Sequence, residues 1–90
     1  MHAQYTVTAL TEKENSSFLR LISAMGRHRI AIESYACSTS RSGATYKHVL
    51  TVRARPEGMR RAVKQIGGYV GVLGICYRGL EENANSEKAG

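Results

Sequence analysis

Three histidines, two cysteines and seven glutamates are the familiar metal-ligating and proton-transferring groups of this 90-residue sequence, which contains no aspartate. Cys37 and Cys76 stand far apart with no CxxC spacing, so neither a zinc motif nor a disulfide framework is indicated. The glutamates are scattered or lie near the end, which gives no pair of carboxylates for acid–base work. His48 shares a strand face with Leu50 and Val52, the setting of a buried structural histidine rather than a ligand. No serine or cysteine can be matched to a histidine as nucleophile and base. Neither a catalytic nor a metal site is expected.

Charge offers a second kind of chemistry. The net charge is +6, which suits an acidic partner or nucleic acid. The basic residues are spread along the chain rather than blocked, however, which suits a solvated surface. Arg60, Arg61 and Lys64 form one basic helix face.

The elements that must position these groups follow from periodicity. Gln4 to Leu10 alternates Tyr5, Val7 and Ala9 with polar Gln4, Thr6 and Thr8, which predicts a strand. Thr11 to Asn15 is a polar connection. Phe18, Leu21, Ile22 and Met25 recur at helical spacing and predict an inward helix face, with Ala24 pointing away and Leu19 on the flank. Asn15 or Ser16 is suited to cap this helix, and Gly26 to end it before Arg27-His28-Arg29. The period then changes to two, which predicts a second strand over 30–38. Gly43 suits a turn, and a third strand follows over 46–54. Pro56 opens a second helix, with Met59, Ala62, Val63 and Ile66 inward and Gln65 outward. Gly67-Gly68 ends it before a last strand over 69–77.

The order β-α-β-β-α-β predicts an α+β, ferredoxin-like fold. Right-handed crossovers give an antiparallel sheet of order 4-1-3-2 with both helices on one face. Cys37 and Cys76 then lie on opposite edges, beyond disulfide reach. Residues 1–78 are expected to form one domain and 79–90 a disordered polar tail. The absence of a long apolar run or signal peptide predicts a cytoplasmic protein.

The segment FLRLISAMGRHRIAIES resembles the helix-to-strand hallmark of ACT domains, on Phe18, Arg20, Leu21, Met25, Arg27 and Ile32-Glu33-Ser34. Within that group, residues 4–78 look most like the regulatory small subunit of acetolactate synthase. QIGGYVGVLGI, residues 65–75, resembles the family's second helix end and last strand. The resemblance implies a non-catalytic subunit, commonly a homodimer, that activates a separate catalytic subunit in branched-chain amino acid biosynthesis. It implies no cofactor in this chain; the partner would carry thiamine diphosphate and Mg, with FAD as a third candidate group.

The family's effector elements fall on Lys13, Glu14, Asn15, Ser16 and Ser17, and on Ala31 and Ile32. Ser16 stands where the family has glycine, and Ala31 where it has asparagine. The sequence also ends soon after the domain, where many members carry a second one. In these respects it resembles the short, valine-insensitive kind. Docking on the catalytic subunit is expected through Thr6, Thr8, Val49 and Thr51, or through Arg60, Arg61 and Lys64. The alternative is a free-standing ACT-type amino-acid sensor serving another enzyme. An RNA-binding module has the same element order, but it needs aromatics on its central strands, and the third strand reads YKHVLTVRA.

Overall fold

Alternation of β-branched and polar residues makes four strands, and two amphipathic segments make the helices that cover one side of them. The structure, a computed structural model, describes residues 2–13 and 17–80. The elements are β1 (Ala3–Glu12), α1 (Ser17–Arg27), β2 (Ala31–Thr39), β3 (Thr45–Ala54), α2 (Pro56–Gly67) and β4 (Val72–Gly79). The sheet is antiparallel with order β2-β3-β1-β4, the expected topology. The expected caps Asn15 and Ser16, the effector position Glu14 and the tail beyond residue 80 lie outside the described residues.

The inner sheet face carries Tyr5, Val7 and Ala9 of β1 and Leu50, Val52 and Ala54 of β3. These pack on Leu21, Ala24 and Met25 of α1 and on Met59, Ala62 and Ile66 of α2, all buried in one core. Ala24 thus faces the core, against expectation. It sits beside the Leu21–Met25 stripe and is 1% exposed. Phe18, expected on the inward face with Leu21, Ile22 and Met25, is 39% exposed.

Three local features depart from simple periodicity. The first is the exit from α1. Gly26 lies within the helix, and Arg29 takes the left-handed conformation, with φ 59°. The Arg29 amide donates to Gly26 O (3.0 Å) and the Ile30 amide to Met25 O (2.9 Å). These are the two bonds of a Schellman closure, with Ile30 and Met25 both in the core. The second is a β-bulge between Ile32 and Ser34. Glu33 is the extra residue there, and on the outer face its carboxylate accepts from Gln4 Nε2 (2.7 Å) and Arg53 Nε (3.0 Å). Those hydrogen bonds hold its pKa below the usual carboxylate value. The third is a shift between Leu10 and Thr11 against β4, with Gly71 at φ 94° just before that strand. Residues 69–71 are accordingly a turn, and the last strand starts later than expected and runs to Gly79.

Pro56 does occupy the start of α2, and Gly68 caps its end. Gln65 is not on the solvated face. Its Oε1 accepts from His28 Nε2 (2.7 Å) and its Nε2 donates to Tyr69 Oη (2.8 Å). The Arg20 guanidinium lies 5.7 Å from the Tyr69 ring centre. This chain of contacts ties the end of α1 to the end of α2.

Candidate functional site

Among the described residues both helices cover one side of the sheet, and its outer face is where the expected docking residues fall. Thr6 pairs directly with Thr51, and Thr8 with Val49. Leu10 continues the row on β1, and Leu73 stands at the β4 irregularity; they are 43% and 58% exposed. The surface is therefore graded. Polar Gln4, Glu33 and Arg53 interlock at one end, and two leucines lie bare at the other. The alternative face, Arg60, Arg61 and Lys64, is exposed on α2. Arg61 approaches Glu57 at 3.8 Å, with both side chains at least 70% exposed, a pair worth little in water.

Among the described residues expected to hold an effector, Lys13 lies far from Ala31 and Ile32 within one chain. Lys13 follows the end of β1, where its amide donates to Ala44 O (3.2 Å). Ala31 and Ile32 begin β2, paired with Arg53 and Val52. Arg53 in turn pairs with Gln4 near the start of β1. Nine residues of strand separate that level from Lys13, about 30 Å at the usual rise. Ala31 is exposed, and Ile32 packs half-buried on the core.

At the Lys13 end the inner face holds a polar and aromatic cluster that periodicity did not reveal. His48 is 2% exposed, and Thr11 beside it is 1% exposed. The Thr11 hydroxyl is 2.8 Å from His48 Nε2, and the Tyr35 hydroxyl is 2.7 Å from Nδ1. Phe18 lies nearly parallel to the imidazole at 6.3 Å, and Tyr46 meets it edge-on at 6.1 Å. Burial lowers the His48 pKa, which favours the neutral ring. A neutral imidazole has one N–H, so one partner donates to the ring and the other accepts from it. Tyr35 stays protonated: partial burial first, and Cys37 second, push its pKa up to about 12.

Cys37 is the cross-strand neighbour of His48. Both imidazole nitrogens are already engaged, so His48 is not free to act as its base. Cys37 and Cys76 are both exposed free thiols. Among the described residues no group of three His, Cys, Asp or Glu side chains is placed to hold a metal. No helix there is long and apolar enough to cross a membrane.

No family model matches the sequence, and no curated relative does. Solved structures do match in shape. The C-terminal domain of the MgtC protein from Mycobacterium tuberculosis superposes with a TM-score of 0.71 at 11% identity, over 86% of each chain. The ACT domain from GTP pyrophosphokinase of Chlorobium tepidum gives 0.73 at 8% identity, over 87% of this chain and 100% of that one. The small subunit of acetolactate synthase from Thermotoga maritima gives 0.70 at 16% identity, over 82% of this chain and 46% of that one. At such identities the likeness is one of fold, and the fold is the ferredoxin-like βαββαβ arrangement of ACT domains.

Proposed function

We propose that this chain is a non-catalytic regulatory subunit that binds and activates an acetolactate synthase catalytic subunit. The observation that carries the reading is the uncovered β-branched sheet face, Thr6, Thr8, Val49 and Thr51, with Leu10 and Leu73 beside it. A β-branched surface that runs from interlocked polar residues at one end to exposed leucines at the other suits a moderate protein interface. The helix-to-strand segment from Phe18 to Ser34 supports the same family, and a small subunit of that enzyme is among the structural neighbours. The cofactors of the reaction would belong to the partner.

Mixing the purified chain with the catalytic subunit from the same genome should raise acetolactate production, and the chain alone should produce none. Val49→Glu should abolish the increase while circular dichroism shows an intact fold, because Val49 points away from the core. Flat activity with a soluble, folded chain would remove the acetolactate synthase reading and leave a domain that serves another enzyme.

Effector binding requires a second copy in this reading, since Lys13 and Ala31 lie at opposite ends of the sheet. The small core and open edge strands favour such a dimer. Ala31 has no polar side chain to offer an amino acid. Calorimetry with valine, leucine and isoleucine should therefore show no micromolar binding. A dissociation constant in the micromolar range would overturn the valine-insensitive assignment.

A further inference from the structure

Several cationic side chains surround a cavity at the end of the sheet opposite Lys13. The cavity has a volume of about 640 Å³, within the range of small-ligand sites. Three separate segments build it. His2 comes from ahead of β1, Arg29 from the turn after α1, and Arg55 and Arg61 from the start of α2. The only acidic group on the wall is Glu57, which faces Arg61. Arg29 and Arg55 have no carboxylate partner among the described residues.

The wall is held in place before any ligand arrives. A β-carbon on Gly58 would come within 3.1 Å of the His28 carbonyl, so the α1–β2 turn sits directly against the first turn of α2. The His28 ring is anchored on Gln65. No side chain caps α2, whose first backbone bond runs from the Met59 amide to Arg55 O (3.0 Å). The amides of Glu57 and Gly58 therefore face the cavity end of the helix without a capping group.

We propose that this cavity binds a small phosphorylated molecule of the diphosphate class. Guanidinium groups match phosphate oxygens two at a time. Two arginines contributed by different segments suit two adjacent phosphate groups better than one isolated anion. The charges are gathered in one partly open recess between two turns, which suits a small molecule better than a polymer backbone, which needs an extended track of charge. This site is separate from the outer sheet face and from the Lys13 end, so it stands whether or not the chain serves acetolactate synthase.

Arg29 makes the proposal testable without risk to the fold. Its φ of 59° suits glycine better than any other residue, so Arg29→Gly removes the cation while keeping or improving stability. Nuclear magnetic resonance titration at about 0.15 M salt would use inorganic pyrophosphate, a nucleoside diphosphate and inorganic phosphate as probes. Pyrophosphate should shift the Glu57 and Gly58 amides saturably, more tightly than phosphate. Arg29→Gly should weaken this by about tenfold, the order lost with one charge-assisted bidentate contact. Arg41→Gly, at the far end of the sheet, should leave it unchanged. Two results would overturn the proposal: no saturation by about 10 mM pyrophosphate, or equal binding by wild type and Arg29→Gly. An RNA oligomer that outcompetes pyrophosphate and shifts the whole sheet would also overturn it, in favour of a nucleic-acid surface.

Discussion

Truncating Leu21 to alanine will lower the stability of this fold by about 3–4 kcal/mol, within the range measured for buried leucines. Leu21 is fully buried where α1 meets the sheet, among Val7, Leu50, Met25 and the other core residues. A domain of this size has about 5–10 kcal/mol in total, so the variant will be partly unfolded near its melting range. Leu19, two residues earlier on the same helix, is 66% exposed. Leu19→Ala should cost less than about 0.5 kcal/mol, as surface changes do. Ile32→Ala should fall between them, because Ile32 is half-buried on the edge strand. Denaturant midpoints at constant slope would compare the three. Equal losses for Leu19 and Leu21 would mean that α1 is rotated about its axis relative to the structure described here.

Those three positions also show how far periodicity reaches. Leu21 and Met25 at helical spacing, and Tyr5, Val7 and Ala9 at strand spacing, point inward because each element can bury only one face. The same logic carried the element order, the sheet order and the start of α2 at Pro56. It failed where one residue changes the phase. Continued past Glu33, strict alternation would turn Tyr35 to the outer face. The bulge between Ile32 and Ser34 turns it inward instead, onto His48. No composition signal marks that bulge, so the Tyr35–His48–Thr11 contact could not be read from spacing. Arg29 is a similar case. Glycine is the residue usually found in a left-handed helix exit, and Gly26 drew the expectation. The closure is set by Ile30 reaching Met25 in the core, which fixes the left-handed residue three places later. The outer row Thr6, Thr8, Val49 and Thr51 was legible because β1 and β3 pair without interruption.

Acidification will destabilise the protein through His48 before the carboxylates titrate. The folded state holds this ring among Thr11, Tyr35, Phe18 and Tyr46, and burial lowers its pKa below the ordinary histidine value of 6.5. In the unfolded chain the ring takes up a proton near that value. Between the two pKa values the unfolded state therefore binds more protons, and stability rises with pH. The contribution is fully present above pH 6.5, and it is lost progressively as pH falls toward the folded-state pKa. Protonation would also make both ring nitrogens donors, so that neither Thr11 nor Tyr35 could donate to the ring. Melting temperature measured from pH 7.5 downward should begin to drop near pH 6.5, while His48→Gln, which cannot titrate, should stay flat over the first part of that range. The hydroxyl of Tyr35 can be tested separately. Tyr35→Phe leaves His48 Nδ1 without its partner at nearly unchanged volume, and should cost about 1–3 kcal/mol, the usual penalty for a stranded buried polar group. If His48→Gln shows the same acid slope as the wild type, the slope belongs to other groups. Glu33 is the first candidate, because its lowered pKa makes its own contribution disappear only at more acidic pH. A slope that starts near pH 6.5 and is lost in His48→Gln identifies His48, whereas one that starts only below about pH 4.5 fits the lowered pKa of Glu33.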